Sequence, residues 1–178
     1  MCYRRADVAG GTYFFTVNLA ERTRTLLVDH VDLLREVLRD VKRRHPFHID
    51  AMVILPDHLH ALCTLPVGDC GYPTRWMLIK AGFSRRIPAG ERRNKSRMTK
   101  GERGIWQRRY WEHLIRDERD YARHVDYIHY NPVKHGYVPR ASDWPHSSIH
   151  RYVSSGVVEK NWGAEDVSEE LGKLGERT

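Results

Sequence analysis

Long hydrophobic runs are missing from this chain. No stretch of about 18 apolar residues occurs, so no segment reads as a membrane span. The opening residues, MCYRRADVAGGTYFF, lack an apolar core followed by a cleavage site, so they do not read as a secretion signal. Cysteine is scarce: Cys2, Cys63 and Cys70 are odd in number and form no CxxC pair. That argues against a zinc ribbon and fits a reducing cytoplasm, the expected location. Internal repeats are absent too, which excludes solenoids and propellers. What remains is a chain of 178 residues, 40% hydrophobic and 30% charged, large enough to bury a real core.

Acidic residues are scarce in one place in particular. Residues 85–109 hold ten basic side chains (Arg85, Arg86, Arg92, Arg93, Lys95, Arg97, Lys100, Arg103, Arg108, Arg109) against only Glu91 and Glu102. The whole chain carries +7, so this segment accounts for the excess and leaves the rest close to neutral. Such a cluster is the electrostatic footprint of a polyanion partner. Trp106, Tyr110 and Trp111 lie within or directly after it and offer stacking surfaces for bases, which favours nucleic acid over a merely solvated loop.

The stretch around which the chain is organised is residues 49–66, IDAMVILPDHLHALCTLP. Residues 49–55 are apolar except for Asp50, as in a strand covered on both faces. Pro56 and Asp57 form a turn pair. The strand that follows alternates: Leu59, Ala61, Cys63 and Leu65 face one way, and His58, His60, Leu62 and Thr64 the other. Two imidazoles two residues apart on a strand can bind one metal ion. They are also compatible with two half-exposed histidines that happen to alternate.

Elsewhere, residues 12–19 (TYFFTVNL) read as a first strand. Residues 29–44 read as a helix with Val31, Leu34, Leu38 and Val41 at helical spacing, Asp29 as N-cap, and Pro46 preventing continuation. A second helix covers residues 74–86, with Trp76, Ile79, Lys80 and Phe83 as its contact side. Residues 88–104 read as a flexible loop. Residues 105–115 read as a fourth strand, and Asp117 caps a last helix running to about Tyr130. The order strand, helix, strand, strand, helix, strand, with an extra helix, is the split βαβ pattern. The expected class is α+β: a ferredoxin-like antiparallel sheet with an added C-terminal helix, one face of the sheet remaining open to a ligand or another element.

On that last helix Tyr121, Val125 and Ile128 form an apolar stripe facing the core. Tyr127 lies off the stripe, with His124 and Asn131 one turn away on either side. A tyrosine so placed is a candidate nucleophile; the alternative is a core-edge tyrosine with its hydroxyl in water. A solvated surface position is the expectation for His124.

These motifs carry a resemblance. HLH after an apolar strand resembles the HUH motif (His, hydrophobic, His) of metal-dependent single-strand nucleases. The runs WQRRYWEHLIRDERDYARHV and DYIHYNPVKHGYV, the lead YRR with GGTYFFTVNL, and the closing SDWPHSSIHRYV resemble the REP-associated tyrosine transposases, over about residues 3–162. The resemblance implies a metal pair at His58 and His60, a third ligand at Asn131, and a nucleophile at Tyr127. Asn131 precedes Pro132, which disfavours α geometry there, so a simple helix end is the competing reading. It implies Mg²⁺ or Mn²⁺ as cofactor. The implied reaction is a transesterification of single-stranded DNA through a 5′-phosphotyrosine, with a REP hairpin and a short 5′ tetranucleotide as target.

Arg4 and Arg5 are the expected contacts to that target, and Arg85, Arg86, Arg92, Arg93, Lys95, Arg97, Arg108 and Arg109 the expected phosphate contacts. The catalytic domain is expected to span residues 1–153. An acidic tail, residues 154–178, is expected either to fold back near the DNA-binding face or to be a frayed terminus. The resemblance allows a monomer or a homodimer. The competing class is a non-catalytic RRM-like module, although the aromatic pattern of such modules is absent.

Overall fold

A computed structural model describes residues 7–163. Four strands, β1 (Thr12–Asn18), β2 (His48–Ile54), β3 (His58–Thr64) and β4 (Trp111–Leu114), form one sheet in the order β2-β3-β1-β4. All pairings are antiparallel, so the split βαβ arrangement expected from the sequence is the one present. The α-helices are α1 (Leu26–Asp29), α2 (Val31–Arg44), α3 (Tyr72–Arg86), α4 (Lys95–Thr99), α5 (Glu118–Lys134) and α6 (Ile149–Ser154). No helix of the described residues is long and apolar enough to cross a membrane.

Alternation along the strands builds two cores. Tyr13, Phe15 and Val17 of β1, with Leu59, Ala61 and Cys63 of β3, meet Leu34, Leu38 and Val41 of α2 and Trp76, Ile79 and Phe83 of α3. The two helices approach closely where Gly82 faces Val37, and a Cβ on Gly82 would lie 2.9 Å from a Val37 methyl. On the opposite face Phe14, Ala51, Val53, Leu55 and Leu62 pack against Val125, Tyr127 and Ile128 of α5. The second face is therefore covered by another element, the added helix α5.

Several local expectations are corrected. Asp29 does not cap α2; it ends α1 and accepts a hydrogen bond from the Thr25 hydroxyl, while His30 sits at the cap. Strand β4 is four residues long, and Trp106 makes only an isolated bridge to Leu19. Residues 88–104 are folded around Arg103. Its guanidinium pairs with Glu91 at 2.8 Å and donates to the carbonyls of Ile87 and Pro88, both at 2.8 Å, and to that of Ser84.

Asp117 does cap α5, accepting from the Asp120 N–H. The helix does not stop before Pro132 but continues through it to Lys134. Proline in the last turn forfeits one backbone bond, to the Ile128 carbonyl, and the burial of the Pro132 ring helps offset that loss.

The closing motif also has a structural task. The Ile54 N–H donates to the His146 carbonyl, and the Ser148 N–H donates to the Met52 carbonyl. The Met52 N–H donates in turn to the Ser148 hydroxyl, so residues 146–148 cover the free edge of β2.

Candidate active site

Register places the site. Thr16 of β1 lies opposite His60 of β3, and Asn18 opposite His58. Both imidazoles point to the α5 side, where they are fully buried at 2% and 0% exposure rather than half-exposed. Their ring centroids are 4.9 Å apart.

Each ring is held through Nδ1. His58 Nδ1 lies 2.7 Å from Asp57 Oδ1, and His60 Nδ1 lies 2.9 Å from Thr16 Oγ1. A carboxylate only accepts, so His58 carries its hydrogen on Nδ1 and its lone pair on Nε2. Burial pushes the Asp57 carboxyl up, but hydrogen bonds from His58 and Arg22 outweigh it and hold the pKa at about 2. Arg22 pairs with Asp57 and donates to Asn18 Oδ1 at 3.0 Å. Burial first, then the proximity of His58, His135, Lys134 and Arg22, holds His60 well below the usual histidine range. It is a neutral imidazole near neutral pH.

The Nε2 atoms of His58 and His60 are buried without a hydrogen-bond partner among the described residues. Both side-chain amide atoms of Asn131 are in the same condition. Such orphans are costly in a folded chain, and imidazole nitrogens with an amide oxygen are a donor set that suits a divalent ion. These residues fit a metal.

Tyr127 is 1% exposed. Its ring meets His60 edge-on at 5.2 Å and Phe14 at 5.9 Å. Lys134, two turns further along α5, places Nζ 3.5 Å from the Tyr127 hydroxyl and 4.9 Å over its ring. Asn131 lies between them, one turn after Tyr127. The structure thus brings together His58, His60 and Tyr127, and sets Asn131 on the same helix rather than at its end.

His124 is buried, not solvated. Its Nδ1 donates to the Asp120 carbonyl at 2.7 Å, and its ring packs on Phe14 and stacks on His113. His113, Asp120 and His124 form a second group able to hold a metal, with ligand atoms within 4.8 Å of one another. Here, though, the Asp120 carboxylate already accepts from His113 at 2.8 Å and from Arg116.

The basic segment is divided. Arg86 pairs with Asp40 and Arg108 with Glu102, while Arg103 is turned inward. Arg92, Arg93, Lys95 and Arg97 line an open cleft of about 670 Å³ whose other wall is Leu19, Glu21 and Arg24. The loop that supplies that wall follows directly on Asn18 and also carries Arg22, which pairs with Asp57, so the cleft and the histidine pair share one loop. Arg85 lines a neighbouring cavity beside Arg97, and Arg109 is exposed. Arg4 and Arg5 lie outside the described residues, as does the acidic tail beyond residue 163.

Sequence reasoning misses Asp57, Arg22, Thr16, Lys134 and His135. The last two are concealed by Pro132, which reads as a helix stop. Asp57 reads only as a turn former, although an acid directly before a histidine is a signal for ring orientation.

No family model matches the chain. Among curated proteins it is 48% identical over 162 residues to a Haemophilus influenzae relative, covering 90% of this chain and 92% of that one. It is 46% identical over 163 residues to an Escherichia coli protein, covering 92% and 91%. Both bear the name REP-associated tyrosine transposase. Among solved structures it is similar to a REP-associated tyrosine transposase bound to a REP hairpin, at 44% identity and a TM-score of 0.83, covering 100% of this chain and 98% of that one.

Proposed function

This chain belongs to the REP-associated tyrosine transposases, and on that premise we propose that it is a metal-dependent endonuclease and strand transferase acting on single-stranded DNA beside a REP hairpin. The observation that carries the reading is the pair of buried, unpartnered Nε2 atoms of His58 and His60 packed against the Tyr127 ring.

A divalent ion, Mg²⁺ or Mn²⁺, held by His58 Nε2, His60 Nε2 and the Asn131 amide oxygen would polarise the scissile phosphate and orient it. Asp57 accepts from His58 Nδ1 and so leaves the Nε2 lone pair of that ring available, while Thr16 orients the His60 ring. The Tyr127 oxygen attacks phosphorus in line. The bond to the 3′ oxygen breaks, that oxygen takes up a proton, and the 5′ phosphate remains on tyrosine. Attack by another 3′-hydroxyl reverses the step and joins strands with no external energy source. The Lys134 ammonium supplies positive charge beside the oxygen that must become a phenolate. The basic cleft attracts the strand without reading its sequence.

Contact between His60 and Tyr127 within one chain supports a site completed by a monomer. The RRM-like alternative needs an exposed sheet face for base stacking, and α5 occupies that face. The test is incubation of the full chain with a labelled single-stranded REP hairpin and Mn²⁺, read on a denaturing gel. A protein–DNA adduct that chelator abolishes supports the reading; binding without any adduct, with Mn²⁺ or Mg²⁺, rejects it.

A further inference from the structure

Two stretches, KHGYV at the end of α5 and SDWPH before α6, bring their aromatic side chains together outside the histidine pair. His135, at the C-cap of α5, is exposed, and its ring lies 5.3 Å from that of His58. Gly136 then turns the chain with φ +70°. The Gly136 N–H donates to the Val133 carbonyl and the Tyr137 N–H to the Pro132 carbonyl, both at 2.9 Å, the paired bonds of a Schellman ending. The position of Tyr137 is thereby set by backbone.

The Tyr137 ring rests on Trp144, centroids 5.2 Å apart and planes inclined by 32°. Trp144 cannot swing away, because its indole N–H donates to the Ile54 carbonyl at 2.9 Å. Tyr137 is nevertheless 44% exposed. It lies 6.1 Å from His135, so His58, His135, Tyr137 and Trp144 form a continuous file of rings leading out from the candidate site. Asp57 and Arg22 are near enough to act on the Tyr137 hydroxyl, which places it on the same wall as the histidine pair.

A single exposed aromatic ring is ordinary. One that is fixed by a helix ending, backed by a pinned indole and within two ring-to-ring steps of the reacting centre has the construction of a stacking surface for a base. We propose that Tyr137, backed by Trp144, is the platform on which one unpaired base of the single strand adjoining the cleaved phosphodiester stacks. This rests on the proposed cleavage of single-stranded DNA and adds to it what holds the flanking nucleotide. Stacking on a tyrosine face tolerates every base, so the platform positions the strand without reading it.

The test uses the full chain and a hairpin with a single-stranded flank, without metal so that no cleavage occurs. 2-Aminopurine is placed at each unpaired position in turn. The expected result is quenching at one position in the wild type and in Tyr137→Phe, abolished in Tyr137→Ala and in Tyr137→Leu. The leucine variant keeps an apolar contact with Trp144 but has no π face, and it serves where the alanine variant fails to fold. Affinity for the flanked hairpin should fall on the order of tenfold in both, with no fall for a hairpin lacking the flank. The same quenching in Tyr137→Leu as in wild type, or an equal loss of affinity for both hairpins, overturns the proposal. Failure of the cleavage reading looks different: the wild type then forms no adduct with Mn²⁺, whatever the quenching pattern.

Discussion

The phenol of Tyr127 meets the imidazole of His60 edge-on, at 5.2 Å between centroids and 70° between planes. Phe14 touches both, stacked on His60 at 5.5 Å and edge-on to Tyr127 at 5.9 Å. The candidate nucleophile and a candidate ligand are thus part of one packed core rather than groups lying on an open sheet.

That burial changes what histidine substitutions should do. His60→Ala removes a ring from a closed interior, so it is expected to cost about 2–4 kcal/mol of stability as well as metal binding. Urea denaturation of the variant, without metal, measures the first effect. An unchanged midpoint and slope would show that the ring is not packed as described.

Asp57 is expected to act through His58. Asp57→Asn keeps the shape but lets the Nδ1 partner donate as well as accept, so the tautomer with Nε2 free is no longer enforced. Mn²⁺ affinity should fall by roughly 10- to 100-fold, measured by calorimetry. Equal affinity in the variant and the wild type would remove Asp57 from the site.

Acid sensitivity follows from the buried histidines. His129 accepts from or donates to Ser148 at 2.9 Å, and burial first, then Arg151 and His150, lower its pKa to about 4. The unfolded chain takes up this proton near pH 6.5 and the folded chain only near 4. The unfolded state therefore binds more protons in that window, and stability falls as pH drops through it, by up to about 1.4 kcal/mol per pH unit. Comparing melting temperatures at pH 7 and pH 5 should show a smaller drop in His129→Gln than in the wild type; equal drops would contradict the assignment.

The basic segment should separate into two kinds of cation. Neutralising Arg92, Arg93, Lys95 and Arg97 should weaken binding to cognate and unrelated strands alike. It should also flatten the log–log salt dependence by roughly 0.7 for each phosphate no longer neutralised. Arg103→Ala should instead loosen residues 88–104, seen as faster proteolysis there, because its guanidinium is spent on Glu91 and backbone carbonyls. An unchanged salt slope in the fourfold variant would remove the cleft from the DNA path.

Strand and helix identities are legible in the sequence because they rest on local periodicity: 2 along β1 and β3, and 3.6 along α2 and α3. The same alternation puts His58 and His60 on one face. It cannot show that α5 folds over that face, because the coverage depends on contacts between Phe14, Leu62 and Ile128, far apart in sequence. Pro132 misleads for a related reason. Its local cost is real, but packing of the helix against the sheet, with Ile128, Tyr130 and Pro132 buried, outweighs it, and Lys134 and His135 come into place only once the helix continues. Arg103 counts in the sequence as one of the basic cluster, because charge alone carries no sign that a carboxylate and three carbonyls will surround it.

Covalent attachment of Tyr127 to DNA is the central claim. The most direct measurement is mass spectrometry of the adduct formed with a REP hairpin and Mn²⁺, after nuclease and protease digestion. The predicted result is a nucleotide 5′-phosphate on the peptide containing Tyr127, with fragment ions placing it on that side chain, and no adduct from Tyr127→Phe, which should still bind the hairpin. A phosphate on Tyr121, Tyr130 or Tyr137, or an undiminished adduct in Tyr127→Phe, would contradict it.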